Sequence, residues 1–167
     1  MPIASESFRD ALRHFPSGVT IVTIKAGDEV HGLTVSAFAS VSPEPPLVTV
    51  IIDRRHHGHS LLDQEGAVFA VNVLAHDQVE LSNRFAWLKD QDRFAEGKWE
   101  RAVTGAPVLA DALAWLDCTL HSRCQAGTHT INVVPGTYNY TVTGCGGATD
   151  AGTINLDEGL VWTWECT

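Results

Sequence analysis

The chain has 167 residues, 20 Asp+Glu against 11 Lys+Arg, and a net charge of −9. That length suits one domain, expected over residues 1–167, and a hydrophobic content of 44% argues against disorder. The acidic balance disfavours nucleic acid or an anionic membrane as main partner, no apolar run reaches the roughly 18 residues of a spanning helix, and Met1–Asp10 lacks the regions of a signal peptide, so a soluble, cytoplasmic protein is expected.

Ser5 to Phe15 reads as an amphipathic helix, because Phe8, Ala11, Leu12 and Phe15 fall at i, i+3, i+4 and i+7. Pro16 and Gly18 stop it. The β-branched run from Val19 to Ile24 predicts a strand, Ala26-Gly27-Asp28 a turn, and residues 30–41 a second strand. Pro43 to Pro46 ends that strand, since proline cannot donate to a ladder. Leu47 to Ile52 is a continuous apolar run, the pattern of a strand covered on both sides. A polar connection from Asp53 to Ser60 leads into a short helix around Leu61–Glu65. Val68 to Leu74 is again a buried strand, and His76 to Ala86 a helix whose apolar members are Val79, Leu81, Phe85 and Ala86. Asp90 to Gly97 is a polar, partly helical excursion. Further strands are expected over 112–124, 129–134, 137–143 and 159–166; in the last, Leu160, Trp162, Trp164 and Cys166 share one face by period two.

The result is a mainly β chain of seven or eight strands with short helices. Strands do not alternate with long helices, and no G-x-G-x-x-G follows a strand, so a doubly wound dinucleotide fold is disfavoured. A closed β-barrel with helical insertions fits better. Cys118, Cys124, Cys145 and Cys166 form no C-x-x-C pair and no zinc spacing, and they read as free structural thiols. No metal is expected.

Three segments carry candidate chemistry. In residues 32–42, the hydroxyls of Thr34, Ser36 and Ser40 recur with even spacing, so an extended strand would project them to one face. That face is either simply solvated or suited to a flat, hydrogen-bonding heterocycle. In residues 54–60, Arg54, Arg55, His56, His57, His59 and Ser60 form the densest cationic stretch and lead into a helix. It is either a solvated loop capped by Ser60 or a phosphate site. The third is Gly127-Thr128-His129, where a lone histidine is either structural or a site residue. There is no G-x-S-x-G elbow and no spacing for a nucleophile triad, so chemistry carried by a bound cofactor ranks above side-chain catalysis.

Together these segments show a resemblance. Phe8 to Leu12, Phe15-Pro16-Ser17-Gly18 through Thr23, Gly32 to Ser42, Pro45-Pro46-Leu47-Val48, Phe69 to Leu74, Gln78, Leu81-Ser82, Arg84-Phe85-Ala86, Asp92-Arg93-Phe94, Gly105 to Leu109 and Ala114 to Cys118 occur in family order. The sequence resembles the flavin reductase-like, FMN-binding split-barrel family, which includes the small reductase components of two-component flavin-dependent monooxygenases. The likeness runs from about residue 6 to residue 131. Residues 132–167 diverge from the family pattern, close to where the charge changes: residues 124–167 hold no Lys or Arg and 7 of the 14 glycines.

The resemblance implies a split β-barrel homodimer with FMN or FAD near its interface and NADH or NADPH as hydride donor. Thr34, Val35, Ser36 and Ala37 would line the isoalloxazine, with Ser40 near the ring or the ribityl chain. Arg54, Arg55, His57, His59 and Ser60 would meet the phosphate, and Arg84 and Arg93 a phosphate or the adenine side. His129 matches the histidine of a Gly-Asp-His motif associated with the nicotinamide or flavin ring; Thr128 stands where the family has a carboxylate. The implied activity is an NAD(P)H:flavin oxidoreductase supplying reduced flavin to a partner monooxygenase. The alternatives are a flavin-binding protein with weak or no turnover, and a barrel recruited to another ligand through its Trp162/Trp164 face.

Overall fold

The computed structural model describes residues 3–88, 92–135, 138–143 and 149–154. Helix α1 (Ser5–Leu12) precedes a hairpin of β1 (Thr20–Ala26) and β2 (Glu29–Val35). The hairpin turns at Gly27, whose φ of 56° is a left-handed conformation that glycine adopts without steric cost. A second hairpin pairs β3 (Phe38–Pro43) with β4 (Pro46–Asp53). Then come α2 (His57–Leu62), β5 (Val68–Val73), α3 (Val79–Trp87) and one 3-10 turn at Arg93–Ala95. The remaining strands are β6 (Trp99–Arg101), β7 (Pro107–Leu109), β8 (Ala114–Thr119), β9 (Ser122–Ala126), β10 (His129–Pro135), β11 (Tyr138–Thr143) and β12 (Thr149–Ile154).

One four-stranded sheet has the order β2-β1-β5-β8 and the other β3-β4-β10-β9; β6–β7 and β11–β12 are separate pairs. The mainly β architecture with short helices is as expected. The closed barrel is not: among the described residues, the ladders do not join into a ring. The reason lies at two corners. The expected strand 30–41 is two strands, β2 and β3, which belong to different sheets, and the expected strand 112–124 is likewise divided into β8 and β9. At each corner a single extended run switches from one sheet to the other, as in packed sheets whose corners are made by strands that bend.

The core lies between the sheets. β4 buries Val48, Val50 and Ile52 at period two, and these meet Val22, Ile24, Leu33, Val35, Phe69 and Val71 of the first sheet. Leu61 and Leu62 of α2 close one end of this cluster. The opposite face of β1 and β5 is covered as well, because β7 packs there: Asn72 accepts from the Leu109 backbone N–H at 2.7 Å and donates to the Ile21 carbonyl at 3.0 Å. Buried on both sides, β1 and β5 need those polar bonds, since an unpaired buried amide is costly.

Other expectations shift by a few residues. The helix placed around Leu61–Glu65 forms at His57–Leu62, and the one placed at His76–Ala86 forms at Val79–Trp87. No residue of α1 is buried, so the apolar stripe bearing Phe8 and Leu12 faces solvent in a single chain. Cys118 is buried and Cys124 exposed, both as free thiols. Cys145, Cys166, Trp162, Trp164 and the expected strand 159–166 lie outside the described residues. Among the described residues no helix is long and apolar enough to cross a membrane.

Candidate functional site

A cleft of about 250 Å³ opens at the first corner. It forms because β2 leaves its ladder after Val35 and the chain crosses to β3 through Ser36 and Ala37, both exposed. Thr34 to Ala37 line it together with Ile51, Asp53, His56 and His129. The Ala37 carbonyl is tied down by the Ile51 N–H at 3.0 Å, whereas Ser36 makes no hydrogen bond among the described residues. The segment therefore presents uncommitted backbone and hydroxyl groups. Thr34 is different, because its hydroxyl donates to the Ser82 carbonyl of α3 at 2.6 Å. Ser40 sits beyond the corner on exposed β3, paired with Val48, and does not line the cleft.

His129 enters from the far end of the chain. The β9–β10 hairpin turns at Gly127 with φ 59°, and His129 begins β10 in register with Asp53, the last residue of β4. The Arg54 N–H donates to the Thr128 carbonyl at 3.0 Å and pins the hairpin to the loop after β4. Thr128 Oγ1 lies 2.9 Å from His129 Nδ1, so the hydroxyl orients the ring. Asp53, which was not among the expected site residues, lines the same cleft, as does His56 of the expected cationic stretch.

None of Arg54, Arg55, His57, His59 and Ser60 lines the cleft. Arg55 grips Asp53 with Nε and Nη2 at 3.1 and 2.7 Å. His57 Nε2 lies 2.6 Å from a Glu29 carboxylate oxygen. His59 bridges Thr130 Oγ1 at 2.8 Å and Asp63 at 3.3 Å, fastening α2 to β10. Ser60 donates to the His57 carbonyl at 2.7 Å, and the cap of α2 is instead His56, whose Nδ1 accepts from the Gly58 N–H at 3.1 Å. Arg54 is exposed and makes no side-chain bond among the described residues. Arg84 and Arg93 bind backbone carbonyls: Arg84 those of Arg93 and Asp92, and Arg93 those of Leu88 and Gly32.

Beside this loop lies an imidazole cluster. The His31 ring centroid is 5.4 Å from that of His56 and 5.1 Å from that of His57. Burial, then the nearby Arg93, His56 and His57, lower the His31 pKa to about 4, against a smaller opposing effect of Glu29. His56 is lowered for the same reasons, burial first. The folded state thus binds fewer protons at His31 than the unfolded chain, so this contribution to stability is complete above pH 6.5 and is lost as the pH falls from 6.5 towards 4. Solvent screening of the half-exposed ring limits it to about 1 kcal/mol. Urea midpoints at pH 7.5 and 4.5 should show a smaller acid-side loss for His31→Gln than for the wild type.

One family recurs in the comparisons with known proteins. The family model described as "Flavin reductase like domain" matches residues 12–143, extending past residue 131, where the resemblance of the sequence segments ends. The "Actinorhodin polyketide dimerase" of Streptomyces coelicolor is 44% identical over 124 residues, covering 74% of this chain and 69% of that protein. The "FADH(2)-dependent resorcinol hydroxylase, reductase component" of Rhizobium sp. is 40% identical over 129 residues, covering 75% of this chain and 72% of that protein. Among solved structures, the NADH:FAD oxidoreductase SgcE6 of Streptomyces globisporus, in complex with NAD and FAD fragments, superposes with a TM-score of 0.74 at 30% identity and 98% coverage of both chains.

Proposed function

Because the chain belongs to the flavin reductase-like family, we propose that it is an NAD(P)H:flavin oxidoreductase that supplies reduced FMN or FAD to a partner monooxygenase. The observation that carries this reading is the single cleft in which Thr34–Ala37 meet His129 across two sheets. The fit to a flavin is chemical: Ser36 offers free backbone donors and acceptors to a flat ring, and Val35 and Ile51 are apolar neighbours. A flavin bound there supplies two-electron chemistry, accepting hydride from a nicotinamide and leaving in reduced form.

The protein's part is binding and alignment. Ser36 and Ala37 would hydrogen-bond the ring, while the Thr34–Ser82 bond keeps the strand end against α3. His129, oriented by Thr128, positions the nicotinamide or the ring edge. The loop from Arg54 to Ser60 is the phosphate side, with Arg54 its uncommitted cation among the described residues. Ser40, on β3 outside the cleft, would meet only a ribityl chain that leaves it, and Arg84, held by the Arg93 and Asp92 carbonyls, would face the adenine side of FAD.

The chain acts as one domain, a split barrel that pairs into a cytoplasmic homodimer. Two observations support the pairing. Sites for drug-sized ligands span roughly 300–1,000 Å³, so a cleft of about 250 Å³ is an incomplete enclosure. The apolar face of α1 is also uncovered, with Phe8 and Leu12 51% and 53% exposed. The activity test is steady-state oxidation of NADH and NADPH with added FMN or FAD. Loss of the absorbance near 340 nm (roughly the reduced nicotinamide band) should depend on both enzyme and flavin. Loss no faster than in the enzyme-free control would overturn the reading.

A further inference from the structure

Among the described residues, Asp53 is the only acidic one lining the cleft. Uncompensated, its carboxylate would oppose any anionic ligand entering there, because like charges a few ångströms apart repel. Both of its oxygens are engaged by one residue: the Arg55 backbone N–H and Nε reach Oδ1 at 2.9 and 3.1 Å, and Nη2 reaches Oδ2 at 2.7 Å. The Arg55 side chain is 84% exposed and lines no part of the cleft, whereas that of Asp53 is 27% exposed. The guanidinium covers the carboxylate from the solvent side. Planar two-point pairing of this kind fixes geometry as well as charge.

We propose that Arg55 is a charge cover for Asp53, not a phosphate ligand: it neutralises the one carboxylate of the cleft so that a phosphate-bearing flavin is admitted. The proposal rests on the reading of the cleft as a flavin site. It makes Arg55 a residue that sets ligand preference through its neighbour, and it leaves direct phosphate contact to other groups of the loop.

The test is a fluorescence-quenching titration of FMN and riboflavin with the full chain at low salt, using wild type, Arg55→Ala, Asp53→Asn and the double variant. In Asp53→Asn the side-chain amide still offers an oxygen to the Arg55 N–H, so the turn is preserved in that single variant. Arg55→Ala should weaken FMN binding about fivefold, the scale of an exposed charge interaction. Its effect on riboflavin, which lacks the phosphate, should be less than about twofold on the same scale. Adding Asp53→Asn should restore FMN affinity to that of Asp53→Asn alone. A double variant as weak as Arg55→Ala would mean that the guanidinium contacts the phosphate itself, and would overturn the proposal. Equal losses for FMN and riboflavin would also overturn it, by showing that the turn has collapsed. Absence of quenching by the wild type would remove the flavin reading and the charge cover together.

Discussion

Replacing Phe85 with alanine is expected to lower the free energy of unfolding by about 3–5 kcal/mol, the range for truncating a buried aromatic ring. Phe85 is the one buried residue of α3 and is 1% exposed. Its ring meets Phe94 edge-on at 5.2 Å and Trp99 at 5.3 Å, and these two also touch each other. Beneath it is Gly32, where an added Cβ would lie 2.3 Å from Phe85 Cε1. The ring fills a slot against bare backbone, so truncation leaves a void that a glycine cannot refill. The loss reaches the cleft, because Ser82 on the same helix accepts the Thr34 hydroxyl. Urea unfolding followed by circular dichroism should show a lower midpoint, and flavin titration a weaker complex. A stability change below about 1 kcal/mol would mean that α3 is held elsewhere.

Replacing His129 with alanine should reduce kcat/KM for NAD(P)H oxidation by about 10- to 100-fold, as for removal of one positioned hydrogen-bonding group. With Nδ1 beside Thr128, Nε2 has no hydrogen bond among the described residues and is left for a ligand. Flavin affinity should change far less, because Ser36 and Ala37 lie on a different strand end and stay in place. His129→Asn, which keeps a side-chain donor, should recover part of the rate. Single-turnover reduction of bound flavin under anaerobic conditions separates this step from product release. An alanine variant within about twofold of the wild type would remove His129 from the reacting groups.

Much of the frame was legible in the sequence. β1, β4 and β5 are uninterrupted apolar or β-branched runs, and they are strands buried on both faces or at alternate positions. The short strands β6 and β7, three residues each, show no period and were missed, as was the Thr- and Gly-bearing β12. The two corners were illegible for a different reason. Neither Ser36-Ala37 nor Leu120-His121 contains glycine or proline, so nothing local marks the change of sheet. The pairing partner changes there without any breaker residue in the chain.

The site was legible unevenly. Thr34–Ala37 and His129 stood out through the resemblance, and the fold brings them into one cleft. Asp53 carried no signal, being an acidic residue at the start of a polar loop, and His56 stood out only as part of the cationic stretch. The cationic density of residues 54–60 was visible, but not its partners: Asp53 holds Arg55, Glu29 holds His57, and Asp63 with Thr130 holds His59. A charge count shows which groups are present; only the fold shows which of them a neighbour has already neutralised.

The ladder that places His129 opposite Asp53 also constrains how the protein reaches its working form. β4 and β10 are joined by bonds such as Thr49 to Asn132 and Asn132 to Val50, spanning 83 and 82 residues of sequence. Closing a chain loop of that size precedes any gain from the contacts it permits, and non-local pairing of this kind slows folding. The β1–β2 hairpin can assemble early, from neighbours in the chain. The cleft cannot, because its two halves come from opposite sides of this non-local ladder. A ligand that recognises both halves therefore binds only the completed fold, and its binding energy is added in full to the native state.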